Sequence, residues 1–245
     1  MNIQWEAGKY TENFDFVHRY GESVLELVEA EAGGLVVDLG CGNGALTQKL
    51  AVDDSAEMVA EARALHPGLP FQKGDAVTFQ LEEKADIIFS NAVLHWIDGS
   101  RQQALARNVA AQLKPGGQFI FEFGGKGCAE RVHSSLERQF ARRGLAYPRT
   151  FYFPTIGEYA PILERAGFRV EYAVLFDRPT EQKTGDGLAD WVRMFVKKPF
   201  EGLEPALGDE LLRAAVEELR PALFRDGKWF VDYVRIRMKA RKTAG

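Results

Sequence analysis

The chain has 245 residues, 46% of them hydrophobic and 27% charged, with a formal net charge of −4. That composition supplies apolar material for one full globular core, and the acidic balance argues against non-specific attraction to nucleic acid. No apolar run approaches the ~18 residues of a membrane span, the start Met1–Glu6 does not read as a signal peptide, and Cys41 and Cys128 read as reduced thiols, so a cytoplasmic protein is the expectation.

In chain order, the first segment carries Trp5, Tyr10, Phe14, Phe16 and Tyr20, more aromatics than a solvated tail needs. They either pack a helix on the core or close over a ligand. Ser23–Ala30 has apolar residues at helical spacing, stopped by Gly33-Gly34. Leu35-Val36-Val37-Asp38-Leu39 reads as a buried parallel strand. It runs into Gly40, Gly42 and Gly44, and Ala45–Leu50 has helix-forming composition. Ser55 N-caps a helix to about Arg63, and Phe71–Ala76 reads as a short strand ending at Asp75. Ala85–Asn91 is a buried strand, Ala104–Leu113 a helix, Lys114–Gly117 a turn and Gln118–Phe123 a strand. Helices follow over about 129–143 and over Ile156–Ala166, and Phe168–Phe176 alternates as a strand. Residues 181–222 look mostly helical. The last strand, from Lys228 to about Lys239, alternates Val234, Ile236 and Met238 with Arg235, Arg237 and Lys239, as at a sheet edge. Strand and helix alternating through short turns predict a doubly wound α/β fold.

The glycine turn carries the first chemical signal. Its glycines let the backbone turn sharply and let a ligand approach, at the carboxyl end of a first strand where open α/β sheets bind ligands. Gly40, Gly42 and Ala45 satisfy the dinucleotide pattern, which is weak by itself. Asp38, two residues before Gly40, would repel a pyrophosphate and favour an ammonium or sulfonium. S-adenosylmethionine carries both charges and no phosphate, so the acid favours a methyl donor over NAD.

Val37–Gly44, then Val52–Met58, then Gly74-Asp75-Ala76, then Phe89-Ser90-Asn91-Ala92-Val93-Leu94-His95-Trp96, then Leu113–Gly117 resemble, in order, five motifs of Rossmann-like S-adenosylmethionine-dependent methyltransferases. The wording around His95 is similar to the group holding trans-aconitate and malonyl-carrier-protein methyltransferases. The resemblance implies a mostly parallel seven-stranded sheet with an antiparallel last strand and a helical cap insertion. It implies one domain: an N-terminal lid and helix over 1–30, a donor-binding core over 31–125, an acceptor-side and cap region over 126–180 and 181–222, and a final strand over 223–245.

It also implies roles. Gly40, Gly42 and Gly44 wrap the methionine end of the donor, and Asp38 sits near its ammonium. Asp53 accepts from both ribose hydroxyls, Met58 lies against adenine, and Asp75 accepts from the adenine amino group while the Ala76 N–H donates to the ring. Asn91 lines the methyl channel. His95 is a candidate general base only if it reaches the acceptor's proton; Cys41 has no paired histidine in local sequence, and no metal-ligand spacing is present. The implied activity is methyl transfer to a small molecule, foremost to a carboxylate oxygen, with no nucleic-acid or membrane partner. A donor-binding protein without catalysis and an NAD-dependent dehydrogenase are the alternatives. Arg149, Arg178, Arg193 and Lys197 could hold an acidic acceptor beside Tyr152 and Trp191, with solvated surface as the default for each.

One spacing does not fit. Asp53 lies only thirteen positions beyond Gly40, whereas the ribose acid of such folds stands about twenty beyond. The expectation is a jump in the Cα trace within 48–54, or a stunted helix followed by a strand of three residues or fewer.

Overall fold

The computed structural model describes residues 23–29, 31, 33–47, 49–183 and 186–244. The aromatics from Trp5 to Tyr20 lie outside them. The chain divides into two compact units, one of residues 1–125, 152–175 and 235–245, the other of residues 126–151 and 176–234.

Strands β1 (Val36–Leu39), β2 (Leu50–Asp53), β3 (Phe71–Lys73), β4 (Ala85–Asn91) and β5 (Leu113–Gly124) join β6 (Phe168–Gln182) and β8 (Lys228–Lys242) in the order β3-β2-β1-β4-β5-β8-β6. A two-residue β7 (Phe224–Arg225) pairs with β8 off that path. Pairing is parallel from β3 through β5 and antiparallel between β5 and β8. The valines and isoleucines of β1 and β4 make both strands almost wholly buried, as a doubly covered parallel sheet requires. On one face Phe119, Phe121 and Phe123 of β5 meet helices α2 (Gln102–Gln112) and α4 (Ile156–Arg165). Tyr159 of α4 stands edge-on to Phe121 and Phe123, with ring centroids 5.4 and 5.1 Å away. The other face is covered in smaller clusters, one of Val24, Ile87, Phe89 and Ile120 with Leu46, and one at α1 (Ala56–Leu65) with Ala51, Val59, Ala62 and Phe71.

The expected helix over Ala45–Leu50 is absent. Residues Ala45 and Leu46 form a turn, and Leu50 already belongs to β2. Leu39 pairs with Val52 and Val37 with Leu50, so the chain leaving β1 must come back about 7 Å before β2 begins. The ten residues 40–49 cover that return as loop, but not as a helix plus its two connections. Because no residue is spent on helix, β2 reaches four residues rather than three. Gln48 lies outside the described residues.

Other boundaries move for local reasons. The helical turn at Ser23–Leu25 gives way to a turn at Glu26–Leu27, short of Ala30. Strand β3 stops at Lys73, leaving Gly74 and Asp75 beyond it. The Lys114–Gly117 turn is looped out of β5: Ala85 pairs with Leu113 while Ile87 pairs with Gln118. Strand β6 extends to Gln182, so helices of the 181–222 region are confined to α5 (Leu188–Phe195) and α6 (Pro205–Leu223), with a 3-10 turn between them. Strand β8 is interior rather than at the edge, and its charged row is covered. Arg237 is ion-paired to Glu122 at 2.7 Å, with their side chains 13% and 2% exposed, and also donates to the Ser23 carbonyl and hydroxyl. Lys239 and Arg241 both hold Glu29.

In the second unit, α3 (Glu130–Arg142) and α6 are tied by Arg138, whose Nε donates to Glu218 at 2.8 Å. Trp191 donates to the Tyr233 hydroxyl at 2.5 Å, and His133 shares a 2.7 Å hydrogen bond with Tyr147.

The segment after β4 is locked by one buried amide. Gln102, with no exposure, donates to the carbonyls of Leu94 and Ile97 at 2.9 and 2.8 Å and accepts from the Tyr159 hydroxyl at 3.1 Å. Gln102→Leu keeps the volume and leaves those groups without the amide, so we expect a loss of about 1–3 kcal/mol in urea unfolding. A variant as stable as the parent would contradict the lock.

Candidate active site

The site is built at the carboxyl ends of β1, β2 and β4. Gly40 donates to the Val52 carbonyl at 2.7 Å, closing the chain back onto β2. Gly40 has φ +78°, and a Cβ there would stand 2.3 Å from a methyl of Val93, so only glycine fits. Gly42 and Gly44 also have positive φ; around Gly42 there is open space, whereas Gly44 abuts Phe71 and His66.

Two acids converge on this turn. Asp38, 6% exposed, accepts from the Thr47 hydroxyl at 2.9 Å. Asp53, 4% exposed, accepts at 2.9 Å from the Gly42 N–H with one oxygen and at 2.9 Å from the Ser55 N–H with the other. Burial pushes Asp38 up to about 7; the charge of Asp53 adds to the rise, and the Thr47 bond opposes it. Burial also raises Asp53 above the ordinary range, against the pull of its two backbone donors. Cys41 between them is raised by burial and then by both acids, which leaves it a thiol and unsuited to be a nucleophile.

Beside the turn lies a narrow cleft lined by Leu39, Gly40, Val52, Asp53, Asp54, Gly74, Asp75, Ala76, Val93, Ile97 and Arg101. It gathers four of the sequence-predicted residues: Gly40, Asp53, Asp75 and Ala76. Asp75 accepts from the Val77 N–H at 2.8 Å and pairs with Arg101 at 2.8 Å. Burial pushes Asp75 up, but Arg101 and the backbone donor outweigh it and hold the carboxyl below its usual value. Arg101, Val93, Ile97 and Asp54 are cleft residues that sequence reasoning missed. Of these, Val93 lies within the His95 motif and Ile97 just after it, while Arg101 carries no local signal.

The remaining predicted residues are placed elsewhere. Met58 caps onto Ser55 through its N–H, but its side chain is 2% exposed in the core and does not line this cleft. Asn91 ends β4 opposite Glu122, followed by Ala92 with φ +58°, a strained non-glycine at the strand's end. His95 is 7% exposed, and its Nδ1 accepts from the Gly124 N–H at 3.2 Å. Burial, then Arg235, holds its pKa well below the ordinary value. Neutral and with Nδ1 accepting, the ring carries its proton on Nε2. A general base at this position would need the other tautomer, with Nε2 free to take a proton.

An all-carboxylate set of Asp38, Asp53 and Asp75 suits a ligand bearing cations, hydroxyls and an amino group, and repels a pyrophosphate. The residues present fit S-adenosylmethionine and not NAD.

The raised Asp38 has a thermodynamic signature. Its proton is held in the folded state up to about pH 7, while the unfolded chain releases it near ~4. Its contribution is therefore full below pH 4 and lost as pH rises toward 7. Asp38→Asn removes that loss, so the stability of the variant relative to the parent should rise between pH 5 and pH 8 in denaturant titrations. A difference that does not change with pH would contradict the assignment.

A methyltransferase-domain family matches residues 37–121, the segment that builds β1 through β5 and the cleft. An uncharacterized methyltransferase of Schizosaccharomyces pombe is 28% identical, over 97% of this chain and 98% of its own. A trans-aconitate 2-methyltransferase of Methylobacterium nodulans is 30% identical, over 98% of each chain. These alignments run over 257 and 267 positions, so both relatives carry residues where this chain has none. Among solved structures the YcgJ protein of Bacillus subtilis superposes with a TM-score of 0.60 at 19% identity, over 93% of this chain and 99% of that one. With the ordered motifs, the acid-lined cleft and relatives matched along their whole length, the chain belongs to the class I S-adenosylmethionine-dependent methyltransferases.

Proposed function

We propose that the chain methylates a carboxylate oxygen of a small organic acid. The observation that carries this reading is the state of His95. Buried, neutral and accepting at Nδ1 from Gly124 N–H, it is not set to take a proton from an acceptor. A phenol or ammonium acceptor must lose a proton, whereas a carboxylate is already ionised at neutral pH. The names of relatives such as the trans-aconitate 2-methyltransferase support the same acceptor class.

In this reading the donor's sulfonium supplies an electrophilic methyl. The acceptor oxygen forms the new C–O bond as the S–C bond breaks and its electron pair returns to sulfur. The chain's part is placement, the largest contribution such a displacement needs. Gly40, Gly42 and Gly44 let the backbone approach the methionine end. Asp38 faces the ammonium, and binding that cation favours its ionised form. Asp53 takes the ribose hydroxyls, for which a carboxylate bonded to two N–H groups still has lone pairs. Asp75 and the Ala76 N–H take the adenine edge, and Asn91 lines the path of the methyl. Met58 serves the core instead of the base. The cap role assigned to residues 126–180 and 181–222 stands as part of this proposal. Two of the cations considered there are already engaged: Arg149 with Glu130 and Glu137, and Arg193 with Asp186 and Asp190. Arg178 lies 4.9 Å from the Phe176 ring centroid.

Label transfer from methyl-labelled donor should reach di- and tricarboxylic acids and form esters that release the label in mild alkali. Transfer confined to phenols or amines would overturn the acceptor class. His95→Gln, which can still accept from Gly124, should lose much less than the ~10²-fold that removing a general base costs; a larger loss with donor binding intact would restore the base. Asp53→Asn should weaken S-adenosylhomocysteine by about tenfold in calorimetry, the loss of one charge-assisted bond. An unchanged dissociation constant would remove Asp53 from the ribose.

A further inference from the structure

We propose that Arg101 is the residue that makes the cleft selective for a 6-amino purine, by holding Asp75 in place as a fixed carboxylate. This rests on the donor reading above and adds a specificity determinant to it.

Arg101 is rigidly presented. It ends a 3-10 turn, Gly99–Arg101, that Asp98 N-caps by accepting from the Ser100 N–H at 2.8 Å. The next residue is the buried Gln102, tied to Leu94 and Ile97. Gly99 lies flat against Tyr152, where a Cβ would come within 3.0 Å of the ring, and the Tyr152 N–H donates to the His95 carbonyl at 3.0 Å. The backbone of Arg101 is thus fixed from both sides, and its side chain reaches the cleft wall.

There it meets Asp75, whose backbone is held by the Thr78 and Phe79 N–H groups donating to its carbonyl at 2.9 and 2.8 Å, but whose carboxylate has a free side toward the cleft wall without Arg101. Asp75 follows β3 in a turn, with its side chain 36% exposed. One oxygen is set by the Val77 N–H and the other by Arg101 at 2.8 Å. Two opposed anchors stop the carboxylate from rotating into water, and the guanidinium keeps it ionised. A 6-amino purine offers an N–H to such an acceptor. A 6-keto purine presents a carbonyl oxygen to it, and the pinned carboxylate can neither turn away nor take a proton to make peace with that oxygen. Without Arg101 the carboxylate is anchored on one side only and can turn away. An exposed ion pair alone stabilises a fold very little, so selectivity, not stability, is where this pair should register.

The test is calorimetric titration of the folded wild type, Arg101→Ala and Arg101→Lys with S-adenosylhomocysteine and with S-inosylhomocysteine. We expect the wild type to prefer the adenosyl ligand. That preference should shrink about tenfold or more in Arg101→Ala, the scale of one charge-assisted contact, and return in Arg101→Lys, which keeps a cation on Asp75. An unchanged preference in Arg101→Ala, whether or not affinity falls, overturns the proposal and leaves the donor reading intact. A folded wild type that binds neither ligand overturns both.

Discussion

The return from β1 to β2 constrains everything around the site. Two parallel neighbours in register must be joined by a chain that leaves the carboxyl end of one and returns to the amino end of the next, level with Val37, here in the ten residues 40–49. A two-turn helix of seven residues would advance about 10 Å and leave three residues for both connections. The chain resolves this by giving up the helix. It keeps the parallel pairing, the Gly40–Val52 closure and the buried strand β2. Among the described residues, one face of the sheet then carries separate small clusters, Leu46 packing against one of them, while the other carries a wide aromatic layer.

That economy decides the electrostatics. The loop brings Thr47 back onto Asp38 and Gly42 onto Asp53, so both acids are buried and each has donors from the turn itself. Burial works against their charge, and Asp38 feels Asp53 as well. A ligand that carries an ammonium and a pair of hydroxyls relieves both, whereas a phosphate adds to the strain. On the proposed donor reading, preference for a cationic nucleoside rests on these two poorly solvated acids, which the ligand helps to ionise. Asp75 is different: its side chain is 36% exposed, and Arg101 with the Val77 N–H outweighs what burial costs its charge.

Much of this was legible in the residues because the signals are local. Ser55 as N-cap, β4 over Ala85–Asn91, and the positive-φ glycines follow from short-range backbone chemistry, and the structure has them where the pattern puts them. The helix over Ala45–Leu50 was misread because propensity takes no account of where the next strand must start; the thirteen-residue spacing did carry that information. The charged row of β8 read as an exposed edge because its partners, Glu122 and Glu29, lie far away in sequence. Arg101 was silent for the same reason, paired with an acid 26 positions earlier. His95 stands in a recognisable motif, but the bond its Nδ1 accepts from Gly124 is visible only in three dimensions.

The central claim is that this shortened Rossmann-like site still takes the donor's nucleoside in the cleft between Gly40 and Arg101. A crystal structure of the protein with S-adenosylhomocysteine tests it directly. The account predicts both ribose hydroxyls within hydrogen-bond distance of Asp53 and the adenine amino group on Asp75. A nucleoside bound outside the cleft, with Asp53 engaged only by Gly42 and Ser55, would contradict it.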